Sequence, residues 1–567
     1  MKKEWVVHPF EDAAQKVAEE FKIHPVIAQV ILRRGFKSSS EIFNFLNPSL
    51  ESLEDPLEYQ GMRKAVERIR LAIGRKEKIL VYGDYDVDGI TGSAILHPIL
   101  KKLGADADAY IPHRINEGYG LNQESLEKLL KKKYGLVITV DNGITGISQI
   151  QFLRNKGVDT IVVDHHLPRE EGLPPAYAIV SACLPAGRPN AGEKRGDPDL
   201  AACGLAFKLG WALCGNYHEV ESYLDLVTIG TVCDMAPLRG ENRIFLKYGL
   251  PLLTKTKRVG LMVLMDVAKV TRNYLSYRDI AFGLGPRINA SGRMGSPENA
   301  FKLLTTENMI EAQNLAQILD EGNRDRQKVE STAFADALEK VETGVLKDHE
   351  RVLVLDSPDW HEGVLGIVAS RLAERYQKPS IVISLKNGVG KGSGRSIPQF
   401  SLFDSIIQCD KLLESFGGHA QACGLTIKEE NIPVFRNRLN EIASQEMKDL
   451  SQGAQLAIDG ELPFSQLDLK FLKDLEGLSP FGPGNEKPLF LSRNVKVKGR
   501  SQKRGKDTLQ CWMTDEKGKA TCEVIGFRAY ERWNASEQKP AYDIVYQPAL
   551  RNFQGIASIQ LELEDWR

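Results

Sequence analysis

Three short apolar runs each end in residues able to hold a divalent cation. Ile79-Leu80-Val81-Tyr82 runs into Gly83-Asp84-Tyr85-Asp86-Val87-Asp88-Gly89. Leu136–Val140 runs into Asp141-Asn142-Gly143, and Thr160–Val163 into Asp164-His165-His166. Carboxylate oxygen is a hard ligand and imidazole nitrogen a borderline one; the mixture suits Mn²⁺ and, with more water in the shell, Mg²⁺. One carboxylate can bridge two ions about 3.5–4 Å apart, the spacing used for in-line displacement at phosphorus. Ions so held neutralise phosphate charge and stabilise a leaving oxygen, so no Ser or Cys nucleophile is needed. An EF-hand calcium loop is excluded, because Ile95 stands where its bidentate Glu would be, twelfth from Asp84. Taken singly, Asp-Asn-Gly reads as a turn and a His-His pair as filler. Three strand ends carrying such groups together point to one site.

Periodicity predicts the elements that position them. Apolar strand candidates at 79–82, 109–111, 136–140 and 160–163 alternate with helical stretches at 91–103, 123–132 and 146–156. That pattern implies a parallel sheet covered on both faces. Such sheets bind ligands beyond the carboxyl ends of their strands, so the acids and imidazoles gather on one edge. Upstream, residues 11–50 read as helical, with Ala14, Val17, Ala18 and Phe21 on one face. Thr306 to about Glu342 reads as one long polar-rich helix of the kind that bridges domains. A second αβ segment follows, with strands near Val352–Leu355 and Ser380–Ser384. After about residue 455, short β-like runs at 489–491, 495–497, 521–525, 543–546 and 559–563 fit a small barrel.

Composition bounds the rest. A chain of 567 residues implies several domains. With 42% hydrophobic and 26% charged residues, it is not a disordered polymer. There are 74 Lys+Arg against 75 Asp+Glu, so nucleic-acid contact must come from local patches. The apolar runs are shorter than the ~18 residues of a membrane span, and the first residues do not read as a secretory leader. None of the eight cysteines has C-x-x-C spacing; they read as reduced thiols in the cytoplasm.

Asp164-His165-His166 after a strand, with the Asp-x-Asp loop upstream, resembles the DHH phosphoesterase superfamily. Gly83–Gly89 resembles its RecJ branch, the single-strand-specific DNA exonucleases. Similar motifs continue through Thr228–Leu238, Gly285–Met294, Trp360–Arg371, Gly392–Ser396, Gly417–Gly424 and Ser479–Asn485. The resemblance implies an α/β fold with two αβ lobes, a parallel-sheet DHH domain and a DHHA1-type domain, joined by a long helix and followed by an OB-type β-barrel. The corresponding division is an N-terminal helical segment (1–55), the DHH catalytic domain (56–305), the connecting helix (306–345), the DHHA1-type substrate-binding domain (346–455) and the OB-fold single-strand-binding domain (456–567). Carried over residue by residue, Asp86, Asp88, Asp141, His165 and Asp234 would bind two Mn²⁺ or Mg²⁺ ions, with Asp141 as the bridge. Asp84 belongs to the same loop, touching metal or orienting a neighbour. His166 would contact the scissile phosphate, and Asp164 would orient an imidazole. Tyr82 occupies the position where the superfamily's pyrophosphatase branch has a His.

Arg287, Asn289, Arg293, Arg371 and Arg395 lie in or beside Gly-containing motifs, where backbone N–H groups and guanidinium forks can meet a phosphate. His419 follows Gly417-Gly418 and is read the same way. The barrel candidate carries Lys496, Lys498, Arg500, Lys503, Arg504 and Lys506, with Trp512, Phe527, Tyr530 and Trp533 nearby. Basic grooves with stacking platforms hold single strands without reading sequence. The implied activity is 5′–3′ hydrolysis of single-stranded DNA to 5′-mononucleotides in repair and recombination, by a monomer working with a helicase and a single-strand-binding protein. Two alternatives remain: a DHH-family phosphodiesterase for oligonucleotides or cyclic dinucleotides, and a non-catalytic replication scaffold. Neutralising the basic cluster of the barrel is expected to flatten the salt dependence of single-strand binding, measured as log affinity against log salt; an unchanged slope would assign those charges to solvent.

Overall fold

The computed structural model describes residues 3–118, 120–184, 196–273, 275–343, 350–447, 455–536, 539–553 and 556–567. Glu54–Ala236 with Gly249–Ser451 forms one compact unit; Met1–Leu53, Pro237–Tyr248 and Gln452–Arg567 form another.

The first unit begins with a five-stranded, wholly parallel sheet. Its strands are β1 (Lys78–Gly83), β2 (Ala107–Tyr110), β3 (Tyr134–Val140), β4 (Asp159–Val163) and β5 (Ala178–Val180), in spatial order β2-β1-β3-β4-β5. The first four match the expected strands to within two residues; β5, only three residues long, was not expected. On β1 and β3, Ile79, Val81, Leu136 and Ile138 are buried on one face and Leu80, Tyr82 and Val137 on the other, as a sheet packed between helices requires. Register decides where the site lies. Gly83 pairs with Val140, Val140 with Val163, and Val163 with Val180. The next amides continue the ladder: Asp84 N–H donates to Val140 O, Asp141 to Val163 O and Asp164 to Val180 O. Three aspartates therefore leave adjacent strands at one level.

Helix α1 spans Val87–Lys102, starting four residues before the expected Thr91. The reason is its cap: Asp86 accepts from the N–H groups of Asp88 and Gly89, so the acidic loop closes directly into the helix. Helix α2 is Ile147–Asn155; α3 (Ala202–Cys214), α4 (Leu224–Cys233) and α5 (Gly285–Met294) complete the elements around the site. Helix α6 (Met309–Glu342) is the long connector, capped by Asn308. Its far end, through Ala333 and Ala337, packs with Leu353, Val364, Leu365 and Val368 of the second lobe. That lobe carries a mixed sheet of β6 (Leu353–Ser357), β7 (Ser380–Lys386), β8 (Val389–Arg395), β9 (Leu413–His419) and β10 (Ala422–Lys428), ordered β9-β10-β8-β7-β6, with helix α7 (Leu365–Tyr376) against it. The sequence pointed to only two of these strands; β8 and β9 are rich in glycine, which hides strand propensity, and β10 carries Gly424.

The second unit holds the barrel: β11 (Phe490–Arg504), β12 (Thr508–Thr514), β13 (Thr521–Gly526), β14 (Tyr542–Phe553) and β15 (Ile556–Trp566). Pairing runs β11-β12-β13-β15-β14 and returns from β14 to β11, closing five strands of OB type. The runs at 489–491 and 495–497 are one irregular strand, and β12 was not expected. The N-terminal helical segment shares the barrel's core: Val26, Ile27, Val30 and Ile31 cluster with Phe471, Leu472, Leu475 and Phe490. Its apolar helix face has to be buried somewhere, and this core receives it. Glu4–Val7 also pairs in parallel with Gln455–Ile458. Arg243, inserted from Pro237–Tyr248, donates to the carbonyls of Phe45, Gly477 and Leu478.

The acidic loop tolerates little added bulk. A Cβ on Gly89 would come within 2.5 Å of the Asp84 amide nitrogen and 2.7 Å of its Cα. Gly89→Ala is expected to displace Asp84 and Asp86 and lower turnover about a hundredfold, the scale set by a misplacement of roughly 1 Å. Steady-state rates with a circular-dichroism check of folding measure this; wild-type turnover would mean the loop is not under that constraint.

Candidate metal centre

The strand ends bring the predicted ligands together. Asp84, Asp86 and Asp141 form one group whose oxygens all lie within 4.8 Å of one another; Asp88, His165 and Asp234 form a second, and Asp141, His165 and His166 a third. His165 Nε2 stands 3.3 Å from Asp141 Oδ1 and 3.8 Å from both Asp88 Oδ2 and Asp234 Oδ1. Asp141 belongs to two groups, the position a bridging carboxylate needs. Its backbone has φ +64, a left-handed conformation that a non-glycine residue adopts at a cost of roughly 1–3 kcal/mol. Asp234 caps the end of α4 and is followed by Met235, also left-handed at φ +61.

Asp88 and the His166 ring are held from behind. Asp88 accepts from the N–H groups of Ala202 and Cys203 at the start of α3 (2.7 and 2.9 Å). Asp164 accepts from Ile144 N–H (2.9 Å), from the His166 amide (3.2 Å) and from His166 Nδ1 (2.7 Å). Asp164 thus fixes the His166 ring from a fully buried position.

Electrostatics say what the cluster lacks. Burial, then the Asp86 charge, pushes the Asp84 carboxyl well above its ordinary range. Burial followed by Asp86, Asp88 and Asp84 does the same to Asp141. Asp88 is raised by burial despite His165, and Asp234 is pushed up to about 9 by burial and then by Asp88 and Asp86. Asp164 goes the other way: burial would raise it, but the His166 hydrogen bond outweighs that and lowers it. His166 is raised to about 9, the Asp164 bond overcoming its burial. Asp84 Oδ1, Asp141 Oδ1 and His165 Nε2 are buried and make no hydrogen bond. Buried polar atoms are nearly always satisfied, so these three fit ligands to cations. Hard oxygens with one borderline nitrogen match Mn²⁺ or Mg²⁺.

The predicted phosphate-binding residues divide. Arg287 is engaged by buried Asp320 at 2.8 Å and by the Gly283 carbonyl. Arg371 pairs with Glu330 at 3.1 Å and stacks over Phe334. These two guanidinium groups are bound within the protein. Arg293 donates to Gly363 O and Arg395 to Gly394 O and Ser393 Oγ, and neither meets a carboxylate among the described residues. Burial and then neighbouring Arg114 hold Arg293 down to about 10. Burial also lowers Arg395, against Cys423 and with Arg114. Asn289 is half-buried on α5, and His419 is exposed at the end of β9. Sequence reasoning missed Arg114, although it stands four residues beyond the carboxyl end of β2, where the strand-end rule would have placed it. Arg114 acts on Asp84, Arg293 and Arg395 alike, so an anion-seeking cluster flanks the cation-seeking one.

On the barrel, Lys496, Lys498, Arg500 and Lys506 are exposed, while Lys503 is paired with Glu531 and Arg504 with the Gln510 side chain. Trp512, cross-strand from Lys498, and Phe527 are 49% and 58% exposed; Trp533 is core.

Comparison with known proteins places these features in a family. The models matched are the DHH family N-terminal domain at residues 78–231, the DHHA1 domain at 349–445 and the RecJ OB domain at 458–565. The single-stranded-DNA-specific exonuclease RecJ of Bacillus subtilis is 34% identical over 567 residues, covering 100% of this chain and 71% of that protein. Its namesake in Haemophilus influenzae is 31% identical over 560 residues, covering 95% of each. The crystal structure of RecJ in complex with Mn²⁺ from Thermus thermophilus superimposes with a TM-score of 0.83 at 29% identity, over 100% of this chain and 79% of that one. With all three domains and relatives of this similarity along its length, the chain belongs to the RecJ family of single-stranded-DNA-specific exonucleases.

Proposed function

We propose that the protein hydrolyses single-stranded DNA from its 5′ end, releasing 5′-mononucleotides, with two Mn²⁺ or Mg²⁺ ions. The observation that carries this reading is the set of buried ligand atoms without a hydrogen bond on adjacent strand ends, beside three guanidinium groups that meet no carboxylate among the described residues. Asp84, Asp86 and Asp141 would hold one ion, and Asp88, His165 and Asp234 the other, with Asp141 shared. When bound, such ions acidify water and withdraw charge from phosphate.

The chain's own residues do the rest. Asp164 accepts from His166 Nδ1 and raises the pKa of that imidazole, so His166 is oriented to meet the scissile phosphate. Arg114, Arg293 and Arg395, none of which meets a carboxylate within 4 Å among the described residues, would hold the strand's phosphate oxygens. The α3 amides keep Asp88 aimed while charge builds around it. The barrel's exposed lysines and Trp512 would hold the trailing strand by charge and stacking. We take 56–305 as the catalytic domain, 346–455 as the substrate-binding domain and 456–567 as the strand-binding domain. No helix among the described residues is long and apolar enough to cross a membrane. A cytoplasmic monomer cooperating with a helicase and a single-strand-binding protein completes the proposal. The match of a RecJ OB domain weighs against a phosphodiesterase for dinucleotides, and the presence of every expected ligand against a non-catalytic scaffold.

Labelled single strands blocked at one end test this. Strands blocked at the 3′ end are expected to be degraded and strands blocked at the 5′ end spared. Chelation should stop cleavage, and Asp141→Ala should lower it about a thousandfold, the equivalent of several kcal/mol of lost transition-state stabilisation. Undiminished cleavage by Asp141→Ala would remove that residue from the mechanism.

A further inference from the structure

Tyr85 lies between two proposed metal ligands, yet its ring is turned to a different partner. The Arg114 guanidinium carbon sits 5.0 Å from the centre of that ring, within cation–π range. The Arg114 side chain has no carboxylate or hydrogen-bond partner among the described residues. It belongs to a short helix, Arg114–Glu117, that offers it little support of its own. Tyr85 is well anchored: α5 presses against it so closely that a Cβ on Gly292 would lie 2.9 Å from the Tyr85 carbonyl oxygen.

We infer that Tyr85 is a positioning residue whose ring face carries the Arg114 guanidinium and keeps it available to the strand's phosphate. This rests on the phosphodiesterase reading above. The physical need is clear from the neighbours. Arg114 is repelled by Arg293 and Arg395 and attracted by Asp84. Without a platform it would fall onto Asp84 as an internal ion pair, and the anion pocket would lose a donor. The ring offers the guanidinium an attractive seat that neutralises no charge, so its positive field still reaches an incoming phosphate.

The test is a double-mutant cycle read by two assays: KM and kcat on single strands, and the affinity of the Mn²⁺-loaded protein for inorganic phosphate by calorimetry. Tyr85→Leu is expected to raise KM and weaken phosphate binding about tenfold, with kcat changed far less; Tyr85→Phe, which keeps the ring, should restore both. Arg114→Ala should cause a similar loss, and the double variant no further loss, because one residue acts through the other. Multiplying losses in the double variant, or a Tyr85→Phe as impaired as Tyr85→Leu, would overturn the inference. An Arg114→Ala with unchanged phosphate affinity would overturn it too, by removing the pocket. Because phosphate binding needs no turnover, it reads Tyr85 even if the strand assay defeats the broader reading.

Discussion

Repulsion among buried carboxylates governs this structure. Two like charges 4 Å apart repel by about 4 kcal/mol at an effective dielectric near 20. Asp84, Asp88 and Asp141 are almost fully buried, and Asp86 and Asp234 stand beside them. The ion pairs they make among the described residues are with imidazoles, of which His166 is committed to Asp164. The fold could relieve the repulsion by protonating the acids, which is the direction burial drives Asp84, Asp141 and Asp234. Cations would relieve it instead, through atoms such as Asp141 Oδ1 and His165 Nε2 that make no hydrogen bond.

The surrounding elements can be understood as what it takes to hold that arrangement. Parallel register brings Asp84, Asp141 and Asp164 off three neighbouring strands at one level, each amide still in the ladder. The Asp86 cap and the α3 amides use backbone N–H groups to steady carboxylates that repel one another. A few residues away the signs invert. Arg114, Arg293 and Arg395 crowd together without acids, whereas Arg287 and Arg371 are each neutralised by a carboxylate on α6. A site that must accept both metal ions and a polyanion needs these two unbalanced clusters side by side, with paired charges elsewhere.

Much of this was legible from residue order. The strand-end acids, the parallel sheet, the long connecting helix and the closed barrel follow from apolar period and from a single topological rule. What escaped has particular causes. Strands β8 to β10 carry glycine where strand signals need bulk, and β12 was overlooked although Leu509, Cys511 and Met513 alternate inward with Gln510 and Trp512 outward. The start of α1 depends on a cap that only coordinates reveal. Arg287 and Arg371 looked like phosphate ligands because their partners, Asp320 and Glu330, lie 33 and 41 residues away in the chain. Arg114 sits in no glycine motif; only its place beyond the carboxyl end of β2 marked it.

The account turns on cations neutralising the acid cluster, and the most direct measurement is crystallographic. Crystals grown with manganese, with data collected near its absorption edge, should give two anomalous peaks about 3.5–4 Å apart with Asp141 between them. Absence of any peak at those strand ends, in protein that binds single strands, would contradict it.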